Sequence, residues 1–376
     1  MNRIMTIAAL ALLCASPSWA QDAKKKPVAA GVDQTKVDAA IKKGIACLKG
    51  HLDDLGKVTA NRYHELVLWT FQHAGVSETE PEYQKLLKMV TDTELERTYN
   101  VAVQAMVLED LDRVKYQTRI WQCAQFLVDN QCKNGDWSYG EPSPFTADVA
   151  TAFKGLKPVA TDAKSTAKKL PRVKVPVTKH RDAKLPYGDC SNSQYAALGL
   201  RACHDAGIIL PPEVLDAAIK YWRDSHQNDP APVKGWNYKG NKDEEQKSYG
   251  SMTAGALGAL AIFYYIQAKP WMQDKDCLMA RDWLAQHYSV SENPGSAQGE
   301  HHLYYLYALE RAGVFFGFDR LENHDWYAEG ANLVLKMQKA DGSWGDPEHT
   351  CFAILFLRRA TRPLVDVASI DRYIKR

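Results

Sequence analysis

Two kinds of helical segment alternate along this chain from residue 35 almost to its end, and that alternation limits the fold more than any other feature. The first kind is amphipathic and charged. Residues 35–50 set Val37, Ala40, Ile41, Gly44, Ile45 and Leu48 on one stripe at helical spacing. Residues 81–91, 115–130, 211–227, 274–288 and 325–338 follow the same rule. Pro81 and Pro211-Pro212 suit helix first turns, and Asp325 suits an N-cap. The second kind is apolar on most faces: 63–74, 99–112, 191–206, 249–266, 301–316 and 349–360. A helix that is apolar all round must be covered on every side. Six such helices, each linked by short connections to an amphipathic one, satisfy this as an inner ring inside an outer ring. Strand signals are nearly missing, so the pattern predicts an all-α chain, an (α/α)6 toroid over 35–376.

Three turns fit this scheme: Gln131–Trp137 (QCKNGDW), Gly235–Tyr238 (GWNY) and Gln338–Trp344 (QKADGSW). Each follows a charged helix. The Gly can take the left-handed backbone that ends a helix, and the Trp after it can wedge between hairpins. These Trp residues read as structural, with ligand stacking as the alternative.

Residues 138–188 break the rhythm. From Lys154 to Lys184 there are ten Lys or Arg against two acids, with Pro171, Pro176 and Pro186. The segment reads as a basic loop insertion, with Phe145–Leu156 a short helix at its start and 157–185 the least ordered internal stretch. Binding of an anionic polymer is the functional alternative to a solvated loop.

Arg3, the apolar run Ile4–Cys14 and Ser18-Trp19-Ala20 read as a secretory signal ending at residue 20, followed by a linker over 21–34. A secreted or periplasmic location follows. Seven cysteines would remain, without a CxxC pair; an odd count leaves at least one thiol outside any disulfide. Ser248–Ala268 is uncharged and long enough to span a bilayer, yet as one of several similar segments it reads as a buried core helix, leaving the mature chain no transmembrane segment. With Lys+Arg 47 against Asp+Glu 45, no global field favours nucleic acid.

The paired Q-x-x-x-G-x-W turns resemble the repeat of squalene cyclases and protein prenyltransferase β subunits. So do the inner-helix starts Asp189–Tyr195 (DCSNSQY), Ser248–Thr253 (SYGSMT) and His349–Phe352 (HTCF). With Tyr304–Gly313 (YYLYALERAG) and His324–Tyr327 (HDWY), the chain looks most like secreted bacterial prenyltransferase/squalene oxidase repeat proteins. The resemblance covers about 35–365 and implies the toroid together with an apolar or lipid-like ligand at its mouth. The D-x-D-D acid of squalene cyclases has no counterpart, since His51 precedes Leu52-Asp53-Asp54. In prenyltransferase β subunits, zinc is held at two inner-helix starts. The matching positions here are Glu300-x-His302 and His349-Thr350-Cys351.

Inner helices of a toroid run the same way, so their N-termini gather at one mouth. There the expected catalytic groups are Asp189, Glu300, His302 and His349. The expected substrate-binding groups are Asn192, Tyr195, Tyr249, His301, Tyr304 and Tyr305. Glu300, His302 and His349 also form a two-imidazole, one-carboxylate set suited to zinc with an open position. Each has a plainer reading: Asp189, Ser191 and Asn192 as helix caps, His301 and His302 as rim aromatics, the tyrosines as core lining. Three functions stand open. A deep apolar cavity favours a toroid for a small apolar ligand. A long basic cleft favours a secreted lyase or hydrolase acting on an anionic polysaccharide. A plugged mouth favours a non-catalytic binding or scaffold protein of the cell envelope. The partner is accordingly a small apolar or a polymeric ligand.

Overall fold

A computed structural model describes residues 31–53, 63–153, 173–227, 233–240, 247–297 and 301–364. The leader reading, the linker up to residue 30, Glu300 and the centre of the basic segment lie outside the described residues.

Among the described residues there are thirteen α-helices and two strands of two residues each, so the all-α expectation holds. The amphipathic set comprises α1 (Gln34–Gly50), α3 (Pro81–Asp92), α5 (Gln117–Asp129), α8 (Pro212–Asp224), α10 (Lys275–Gln286) and α12 (Trp326–Met337). The apolar set comprises α2 (His64–Ala74), α4 (Thr98–Asp112), α7 (Cys190–Asp205), α9 (Gly250–Ile266), α11 (His302–Phe316) and α13 (Pro347–Arg358). A short α6 (Thr146–Phe153) follows α5, as the sequence suggests.

The apolar helices pack on one another in a closed circuit. α2 meets α4, α4 meets α7, α7 meets α9, α9 meets α11, α11 meets α13, and α13 returns to α2. The amphipathic helices pack on members of this circuit: α3 on α2, α5 on α4 and α7, α8 and α10 on α9, and α12 with α1 on α13. α9 is buried on nearly every side, as an uncharged helix apolar all round must be. Among the described residues no helix is long and apolar enough to cross a membrane.

The tryptophan turns are one device used three times. The indole N–H of Trp137 donates to Leu127 O (2.7 Å), that of Trp236 to Trp222 O (3.0 Å) and that of Trp344 to Val334 O (2.7 Å). Each acceptor lies near the C-terminal end of the preceding amphipathic helix, where carbonyls lack helical partners. The backbone N–H of each Trp donates to a hydroxyl in the first turns of the next apolar helix: Ser193 (2.9 Å), Thr253 (3.1 Å) and Thr350 (3.1 Å). One residue thus ties the end of one helix to the start of the next. All three rings are buried. Gln131 and Gln338 extend the device by donating to carbonyls of the next amphipathic helix, Val214 O and Ala40 O. The second of these bonds links the last turn of the chain to its first helix. Gly135 and Gly342 sit at φ +95° and +89°, and a Cβ there would lie 2.2 Å from Ala217 O and 2.7 Å from Lys43 O. Only glycine permits both the backbone and the approach.

The end of the basic segment differs from expectation. Residues 173–183 lie as a strap along α5. Gln117 and Gln125 donate to Val173 O and Thr178 O, Trp121 to Pro176 O, and Asp129 accepts from His180 N. Val175-Pro176 pairs in parallel with Ile208-Ile209. Burial of Val175 and Val177 explains the order despite the basic composition. The stretch 157–172 lies outside the described residues.

Candidate functional site

The N-terminal ends of the apolar helices share one side of the molecule, because their first residues bond to one another. Tyr63 OH donates to Glu348 (3.1 Å), joining the starts of α2 and α13, and Asn100 donates to Glu65 (2.6 Å), joining those of α4 and α2. Tyr99 bonds to Ser191, joining α4 and α7.

Tyr304 is the hub beneath this face. Its hydroxyl lies 3.0 Å from Ser191 Oγ and 3.3 Å from Tyr99 OH, and it accepts from Gln194 Nε2 at 2.6 Å. Its ring meets Tyr195 at 6.2 Å and Phe352 at 5.4 Å. One turn deeper, Trp69 donates to Tyr307 OH (3.1 Å), and Arg311 lies 4.3 Å over the Tyr307 ring. α4 and α11 are opposite members of the circuit, and α2 and α11 are not neighbours in it. Bonds between them therefore cross its interior. Gly255 on α9 leaves room for the Gln194 amide, which a Cβ there would meet at 2.6 Å. The floor of the mouth is filled by packed, hydrogen-bonded side chains. Burial raises the phenols, Tyr304 to about 12, and they remain neutral donors.

The expected site residues divide. Tyr195 and Tyr304 belong to the floor, and His301 leans its exposed ring edge-on to Tyr304 at 6.4 Å. His301 is also the N-cap of α11 at φ +59°, a backbone region that disfavours side chains other than glycine. Asp189 caps α7, accepting from Asn192 N (2.7 Å) and Asn192 Nδ2 (2.8 Å), as the plainer reading has it. Burial raises its carboxyl. Tyr249 is the half-buried N-cap of α9. Tyr305 is fully buried and turned toward the α9 start, its ring 2.6 Å from where a Cβ of Gly250 would be.

Two members of the zinc set, His302 and His349, lie among the described residues, and each ring is held by a neighbouring loop. His302 Nε2 bonds Val290 O (2.7 Å), so that nitrogen carries the proton and has no lone pair to offer. Burial lowers its ring pKa. His349 Nδ1 pairs with Asp346 (3.0 Å), whose hydrogen bond raises the imidazole. Among the described residues no three His, Cys, Asp or Glu side chains are grouped to hold a metal ion. Glu300 lies outside them. Cys351 is buried and its thiol is pushed up to about 12 by burial.

Sequence reasoning passed over Glu348. It sits on the first turn of α13, half-buried, with its carboxyl raised mainly by burial and held by Tyr63. Tyr139 (56% exposed) and Tyr238 stand above the α7 start with their hydroxyls 3.2 Å apart, and Tyr187 (60% exposed) lies two residues before the α7 cap. Trp-x-Tyr at 137–139 and 236–238 was the available signal: the turn that buries the Trp leaves the Tyr on the mouth face. A separate cleft of about 600 Å³, lined by His226, Lys234, Lys275, Asp282 and Glu322, lies beside α10 on the outer side. No family model matches the chain, and no curated protein does.

Proposed function

We propose that the six apolar and six amphipathic helices form an (α/α)6 toroid of the prenyltransferase/squalene oxidase repeat type. Its mouth serves as a non-catalytic binding face of a secreted or periplasmic protein. The observation that carries this is the Tyr99–Tyr304 contact at 3.3 Å between opposite helices. A floor crossed by such bonds leaves the ligand on the face rather than enclosed below it. The aromatic rim of Tyr63, Tyr139, Tyr187, Tyr238 and His301 suits an extended polymer of the cell envelope, laid across tyrosine faces that are apolar in the body and polar at the tip.

The test is cosedimentation of the purified protein with isolated bacterial cell-wall polysaccharide. A Tyr139→Ala/Tyr187→Ala double variant is expected to lose most of the bound fraction while its melting curve is unchanged. Equal sedimentation of the two proteins, or no sedimentation of either, overturns the reading. A second reading, acid–base cleavage of such a polymer, rests on Glu348, a raised carboxyl beside His301 on the rim. Release of soluble fragments by wild type but not by Glu348→Gln would select it.

A further inference from the structure

Arg311 lies two turns below the mouth on α11 and is 4% exposed. Its Nη2 donates to Gln194 Oε1 (3.2 Å), and its plane rests near the Tyr307 and Tyr195 rings at 4.3 and 5.4 Å. Its Nη1 is buried and has no hydrogen-bond partner, and the same holds for the hydroxyl of Tyr195, a residue 2% exposed. Among the described residues no carboxylate forms an ion pair with this guanidinium. The adjacent Glu310 accepts from Thr361 N (3.1 Å) and Thr361 Oγ1. A guanidinium keeps its charge at any pH a protein survives. Glu310 acts on the guanidinium through space without touching it. A buried charge that no counter-ion contacts is costly, and each buried donor left unpaired adds to that. Water would accept from both donors but would bring no charge.

We propose that Arg311 Nη1 and Tyr195 OH hold one small monovalent anion inside the helical circuit, below the Tyr99–Tyr304 layer. Its chemistry is that of a halide or a single carboxylate. The site is separate from the binding face and does not depend on that reading. Two donors from α7 and α11 would converge on the anion, which links helices that are not neighbours in the circuit.

The mature protein, desalted exhaustively, is melted in increasing bromide, or separately acetate, at constant ionic strength. Wild type is expected to show a saturable rise in Tm with at least one of the two. Bromide identifies a halide site; acetate alone identifies a carboxylate site. Tyr195→Phe keeps the ring and loses one donor, so its half-saturating concentration should rise about tenfold, the usual effect of one hydrogen bond to a charged partner. Arg311→Gln should abolish the saturable rise. Should that variant not fold, anomalous scattering from bromide in wild-type crystals places the ion beside Arg311 or excludes it. A Tm indifferent to both anions, or a dependence unchanged in Tyr195→Phe, overturns the proposal.

Discussion

Trp344 has its ring buried, its indole N–H on Val334 O and its backbone N–H on Thr350. Truncation to Ala removes a large apolar area and the indole bond that ties the end of α12, while the backbone N–H that reaches Thr350 remains. Trp344→Ala and Trp137→Ala are each expected to cost about 3–5 kcal/mol, read from denaturant midpoints. A shift under 1 kcal/mol in either would contradict a structural role. Thiol chemistry gives a second check. Among the described residues seven cysteines are free, six of them buried, with Cys47 partly exposed. Burial, then Asp341, raises even the Cys47 thiol. A thiol reagent should therefore modify Cys47 slowly in the native protein, and the other six only on unfolding. Fast modification of a second thiol would sink this. His349 supplies a pH test. Its folded pKa lies above the unfolded value of ~6.5 because Asp346 holds the charged ring. The pair then stabilises fully below that value and loses its contribution as pH rises through the folded pKa. The Tm gap between wild type and His349→Gln should be wider at mildly acidic than at alkaline pH; a constant gap rules it out.

At the scale of elements, the sequence showed what is local. α9 lies within one residue of the segment read at 249–266, because an uncharged apolar run between two lysines leaves few alternatives. The amphipathic pattern of 115–130 predicts a solvent-facing polar side, yet Gln117, Gln125 and Asp129 of α5 are buried, because the 173–183 strap covers them. A strap written in lysines and prolines cannot be recognised from composition; its side-chain partners lie about fifty residues away. Lys179 and Arg181 should accordingly resist trypsin in the native protein, and rapid cleavage there would show the strap to be loosely held. The site was less legible than the helices. His302 and His349 start apolar helices as expected, but each ring's direction depends on the loop beside it, Val290 in one case and Asp346 in the other. Tyr304 is expected from the sequence as a substrate-binding residue at the mouth, or as core lining. Its bonds to Tyr99 and Gln194 depend on which helices face each other across the interior, and no spacing along the chain encodes that.

At the scale of the whole molecule, the last tryptophan turn reaches the first helix: Gln338 donates to Ala40 O, and Gly342 lies against Lys43 O. The same bond joins Gln131 to α8 in the middle of the chain. The seam between the two ends therefore uses the joint found inside. An open stack of repeats needs special caps at both ends and can grow or shrink by one unit. Here the first and last units cap each other. Adding or deleting one helical pair is expected to force this seam apart and bare two apolar flanks at once. Where the chain is opened matters less than how many pairs it holds. A permuted gene that starts at α8 and spans the old ends with a flexible linker should still yield a folded protein, whereas one that omits α1 and α2 should not.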